Sequence, residues 1–126
     1  MMPHRSQRGP MLTICAHHAS ASEAGDYFRV AFEERRDEEG APHLLIQRQF
    51  EDQDGDVCYV ESHDEEFVGH FRIRSARLGR RRLLIVMNQA LEADVTLDVN
   101  ERTFREIKRV LRIMIPHLQV TEEEAL

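Results

Sequence analysis

Two hydrophobic periods divide this chain, and together they limit what it can become. Up to Val99 the apolar residues come in short runs, several alternating with polar ones; from Glu101 to Ile115 they recur every three or four positions. Alternation sends side chains to the two faces of a strand, as where Phe28, Val30 and Phe32 interleave with Arg29, Ala31 and Glu33. By contrast, Phe104, Ile107, Leu111, Met114 and Ile115 make one helical stripe, with Val110 near its edge. Asn100 is the expected N-cap, Glu101 suits the positive helix end, and Pro116 stops the helix.

Six or seven strands are expected ahead of that helix. They are Leu12–His17, Tyr27–Glu33, His43–Phe50, Val57–Glu61, a stretch through Phe71 to Ala76, Leu83–Met87 and Val95–Val99. Phe71, Ile73 and Ser75 are expected on one face of the fifth, opposite Arg72, Arg74 and Ala76. Leu44, Leu45 and Ile46 suggest a central strand covered on both faces. A hairpin through Leu78–Arg81 and a helical turn within Asn88–Ala93 complete the pattern. The fold class is α+β: a mainly antiparallel, curved sheet with the C-terminal helix packed on one face. Residues 1–10 read as a flexible leader, 11–118 as a single domain and 119–126 as a flexible acidic tail.

Charge is sorted along the sequence. Glu51 to Glu66 holds eight carboxylates and no Lys or Arg, whereas Arg72 to Arg82 holds six arginines and no carboxylate. Solvation alone requires no such sorting, so one of these surfaces is expected to face a partner. With 23 acidic and 17 basic residues the formal charge is -6, which disfavours long-range attraction to nucleic acid and favours a basic protein. Asp52, Asp54, Asp56, Glu61, Asp64, Glu65 and Glu66, with Arg48 and Tyr59, form the expected partner surface; Tyr59 could equally point into the core. Arg72, Arg74, Arg77, Arg80, Arg81 and Arg82 form the rival basic surface, suited to phosphates but without interleaved stacking aromatics.

Catalytic and metal chemistry find little support. DQDGD, Asp52 to Asp56, has clustered carboxylates, yet counting from Asp52 puts Gly55 at position four and His63 at position twelve, where a calcium loop needs Gly at six and Glu at twelve. His63 and His70 lie near Asp64, Glu65 and Glu66 without ligand spacing, and His17 and His18 are weaker candidates still. There is no phosphate loop, zinc-type cysteine pair, serine elbow or dinucleotide fingerprint. No enzyme activity and no cofactor are expected. Cys15 and Cys58 read as isolated small hydrophobes, consistent with a reducing cytoplasm. No apolar run reaches the roughly 20 residues a membrane span needs. An exposed sheet edge would leave pairing with a second copy open.

LLIQRQF, Leu44 to Phe50, followed by the acidic turn and VCYVE, Val57 to Glu61, resembles the immunity protein 10 family of bacterial polymorphic toxin systems. LLIVM, Leu83 to Met87, and TFREIKRVLRIM, Thr103 to Met114, add to the likeness, which covers roughly Tyr27 to Ile115. The resemblance implies a small cytoplasmic α+β protein that binds and neutralises a cognate toxin in the producing cell or its kin. It draws attention to Gln47, Arg48, Tyr59 and Glu61, where polar residues interrupt apolar strands; the alternative to partner contact is a structural role, with Arg48 and Glu61 pairing across neighbouring strands.

Overall fold

A computed structural model describes residues 10–36, 38–49 and 57–121. The described strands are β1 (Met11–Ala16), β2 (His18–Ala24), β3 (Tyr27–Glu33), β4 (His43–Gln49), β5 (Val57–Ser62), β6 (Gly69–Gly79), β7 (Arg82–Met87), β8 (Glu92–Leu97) and β9 (Gln119–Val120); the helix α1 is Glu101–Met114. The α+β class holds, with a curved, mainly antiparallel sheet and one C-terminal helix. Sheet order is β1-β8-β7-β6-β5-β4-β3-β2, and β9 joins β6. Only β1 with β8 and β6 with β9 pair in parallel.

The two ends of that order, β1 and β2, are separated in sequence by His17 alone. The sheet therefore curls until its ends meet at this residue. The His17 amide donates to the Glu33 carbonyl at 3.1 Å, and the Cys15 amide donates to the Glu34 carboxylate at 3.0 Å. A side chain thus serves as an acceptor where β1 has no neighbouring strand on that edge.

Alternate residues of every long strand point inward. Ile14, Val30, Phe32, Leu44, Ile46, Val60, Ile73, Leu83, Ile85, Val95 and Leu97 meet the helical residues Phe104, Ile107, Val110, Leu111 and Met114 in one core. The helix packs on β2 and β3, and Arg109 forms an ion pair with Glu23 of β2. Its start is closed as the sequence suggests: the Asn100 side chain accepts from the Thr103 amide at 2.8 Å. Asn100→Ala should therefore lower the free energy of unfolding by about 1 kcal/mol, measurable in urea, whereas Asn100→Asp should leave it nearly unchanged.

Several expectations need correction. HASASEA, His18 to Ala24, pairs along its full length with β3, although its small polar residues give no strong strand signal. Pairing continues past residue 118, since Gln119 and Val120 lie beside Arg77 and Leu78. A bulge between Ile73 and Ser75 shifts the parity of β6, so Ala76 is buried with Ile73 and Leu78 while Ser75 is exposed. Leu45 is only half-buried, so β4 is covered by the core on one face and left open on the other. Residues 1–9, 50–56 and 122–126, with Asp37, lie outside the described residues, and with them the leader, the acidic tail and the DQDGD turn.

Candidate functional site

The outer face of β3 to β6 carries polar and aromatic side chains in place of a second packed layer. Register aligns Arg29, Gln47, Tyr59 and His70 across four strands. Residues directly opposite on one face are near enough to interact, and here the pairs at the two ends of the row do so. Arg29 donates to the Gln47 side-chain Oε1 through Nε at 3.0 Å and through Nη2 at 2.8 Å. Tyr59 and His70 sit with ring centroids 5.3 Å apart at a tilt of 56°. Tyr27, Gln47, Arg48, Gln49, Tyr59 and His70 line a shallow depression of about 320 Å³.

Tyr59 lies on this outer face and not in the core. Its hydroxyl donates to Glu61 at 3.1 Å, and that hydrogen bond to the carboxylate, helped by some burial and by the charge itself, holds the phenol above its ordinary pKa. Tyr59 thus stays a neutral donor across the physiological range.

The acidic residues beyond β5 are held more firmly than a plain loop would allow. Asp64 caps a single 3₁₀ turn, Glu65–Phe67, its carboxylate accepting from the Glu66 amide at 3.0 Å. Ser62 Oγ holds the Asp64 backbone at 3.0 Å, and Phe67 is fully buried. Glu65 and Glu66 stand exposed, and neither carboxylate has a partner among the described residues.

Beyond the Tyr59–His70 pair the charge reverses. Arg72, Arg74 and Arg77 are exposed on the outer face of β6. Arg74 and Arg77, and Arg81 in the β6–β7 turn, have no side-chain partner among the described residues. Arg80 and Arg82 are differently employed. Arg80 donates to the Val99 carbonyl at 2.9 Å and lies 5.0 Å from the Phe104 ring centroid, whereas Arg82 grips Asp94 with two hydrogen bonds of 2.9 and 2.8 Å. The basic run is therefore two structural arginines beside an exposed set.

Arg48 belongs to neither charged group. It follows Leu44 and Ile46 on the inward parity of β4, and its Nη1 donates to the carbonyls of Ile113 and Met114 at 3.2 and 2.6 Å. The alternative of a pairing with Glu61 is not realised, because Glu61 points outward opposite Leu45. Arg48 closes the helix C-terminus, where carbonyls lack intrahelical donors and positive charge is favourable.

Asp52, Asp54 and Asp56 are outside the described residues. Their chain neighbours Gln49 and Val57 end β4 and begin β5, next to Tyr27 and Arg72 respectively. Among the described residues no three His, Cys, Asp or Glu side chains are placed to hold a metal ion. His63 accepts a hydrogen bond from the His43 amide at 3.0 Å, and His70 stacks on Tyr59; neither is hydrogen-bonded to a carboxylate. Tyr27 and Arg29 join the outer row without having been singled out in sequence, and His70, weighed there only as a metal or acid-base candidate, joins it as a neighbour of Tyr59. Only strand register aligns them, and register depends on turns that a single sequence does not reveal.

No protein-family model matches the chain, and no curated protein matches it at significant similarity. No helix among the described residues is long and apolar enough to cross a membrane.

Proposed function

We propose that this chain is an immunity protein that binds and neutralises a cognate polymorphic toxin inside the producing cell, offering the acidic end of the β3–β6 outer face to a basic toxin surface. The observation that carries the reading is the placement of Glu65 and Glu66: two exposed carboxylates without partners among the described residues, on a turn anchored by a buried Phe67 and capped by Asp64. Fixed charge of one sign steers encounter and sets orientation, while nearby aromatic side chains supply contact area with little loss of rotamer freedom. Tyr59, hydrogen-bonded to Glu61 on the same strand, is such a side chain. The family resemblance points the same way.

Co-expression with the protein encoded beside this chain is the direct test. A stoichiometric complex with loss of that protein's toxicity supports the reading; absence of binding to any such neighbour sinks it. Within a complex, the triple variant Glu61→Gln, Glu65→Gln, Glu66→Gln should slow association by about tenfold at low salt and much less at high salt. An unchanged association rate would move the interface elsewhere.

A second reading rests on Arg72, Arg74 and Arg77, which form an exposed row on one strand. Under it the protein is a nucleic-acid-associated regulatory domain. Binding to a short oligonucleotide that falls steeply with salt, and is lost in Arg74→Gln with Arg77→Gln, would favour this alternative.

A further inference from the structure

Away from this face, where the curled sheet closes on itself, three side chains from two distant parts of the sequence meet. Cys15 and His17 are two residues apart at the β1–β2 junction, and Asp98 follows β8. Cys15 Sγ lies 3.7 Å from His17 Nε2, and His17 Nδ1 lies 2.8 Å from Asp98 Oδ2. Backbone hydrogen bonds fix both partners: the Asp98 amide donates to the Ala16 carbonyl at 2.9 Å and the His17 amide donates to the Glu33 carbonyl at 3.1 Å. With Nδ1–H donating to the carboxylate, Nε2 is left as the acceptor that faces the thiol. The Glu34 carboxylate is engaged by the Cys15 amide.

The group is open to small molecules. The side chains of His17 and Asp98 are 51% and 62% exposed, and Cys15 is half-buried. A cleft of about 480 Å³ is lined in part by His17, Arg36, Asp98, Asn100 and Thr103, and Cys15 adjoins it through its contact with His17. The chain's other thiol, Cys58, is 1% exposed in the core and provides an internal reference.

We propose that Cys15 is a nucleophilic thiol that exchanges with low-molecular-weight disulfides, with His17 as its base and Asp98 as a positioning residue. As Sγ attacks one sulfur of the disulfide, Nε2 takes the thiol proton. The small molecule's S–S bond breaks, its electron pair leaves on the departing sulfur, and that thiolate recovers the proton from His17. One mixed disulfide and one small thiol are formed, so atoms, protons and electrons balance. Arg36 in the cleft favours a disulfide carrying carboxylates.

Oxidised glutathione is the probe, applied to the full chain, with adducts located by peptide mass analysis. Cys15 should form its mixed disulfide about tenfold faster than N-acetylcysteine does under the same conditions, while Cys58 stays unmodified. His17→Gln should bring Cys15 to about the rate of the free thiol, Asp98→Asn should slow it about threefold, and Asp98→Glu should restore much of the loss. A wild-type Cys15 no faster than N-acetylcysteine overturns the proposal without recourse to any variant. So does a His17→Gln protein, folded by circular dichroism, whose rate stays within about twofold of wild type.

Discussion

Replacing Phe67 with alanine is expected to lower the free energy of unfolding by about 3 to 5 kcal/mol, because a fully buried aromatic ring is removed from a closed core. The effect should reach further than stability. Phe67 ends the short turn that displays Glu65 and Glu66, and its amide donates to the Asp64 carbonyl at 2.8 Å, so the ring anchors the turn and its carboxylates together. Urea unfolding followed by circular dichroism measures the first consequence. Under the proposed function, the second is a weaker complex with the cognate toxin even where the variant is fully folded. Phe67→Leu keeps most of the volume and should cost about 1 to 2 kcal/mol. A Phe67→Ala loss below about 1 kcal/mol would show that the turn is held by its cap and not by the ring.

Arg48→Met should destabilise the protein by about 2 to 3 kcal/mol. The substitution keeps much of the aliphatic stem and removes the charged donor from the carbonyls of Ile113 and Met114 at the end of α1. Hydrogen bonds from a charged group carry more than neutral ones, and the negative end of the helix adds to their worth. Arg48→Lys retains charge without the planar fork and should fall between wild type and Met. Under the proposed function, if Arg48 acts only on the helix, affinity for the cognate toxin measured well below the unfolding midpoint is unchanged in Arg48→Met. A loss of affinity without a loss of stability would return Arg48 to the interface where the sequence pattern first put it.

The contrast between Arg48 and Tyr59 shows how far a single sequence reaches. Period two in β3 and period 3.6 in α1 are strong because burial on one face selects them, so the α+β class and the helix with its Asn100 cap were legible. Local pattern could not separate Arg48 from Tyr59: both are polar or amphipathic residues at the ends of apolar runs. Their roles diverge because β4 turns residue 48 toward the helix end and β5 turns residue 59 away from the core. The β6 bulge similarly defeats strict alternation after Ile73. β2 was hidden for another reason. Its Ser and Ala side chains have modest strand preference, and its place is set by pairing with β3 and by the helix packed over it. Of the acidic surface, Glu61, Asp64, Glu65 and Glu66 were legible as charge but not as a capped turn.

The closure at His17 also imposes an order on synthesis. Met11 finds its strand partner only at Glu92, and Ala16 only at Leu97. A nascent chain therefore exposes Leu12 and Ile14, both destined for the core, until nearly every later strand has left the ribosome. The β3–β4–β5 meander, joined by antiparallel neighbours close in sequence, can pair while the first strand waits. Strand β1 is thus among the last pieces of the described sheet to find its place.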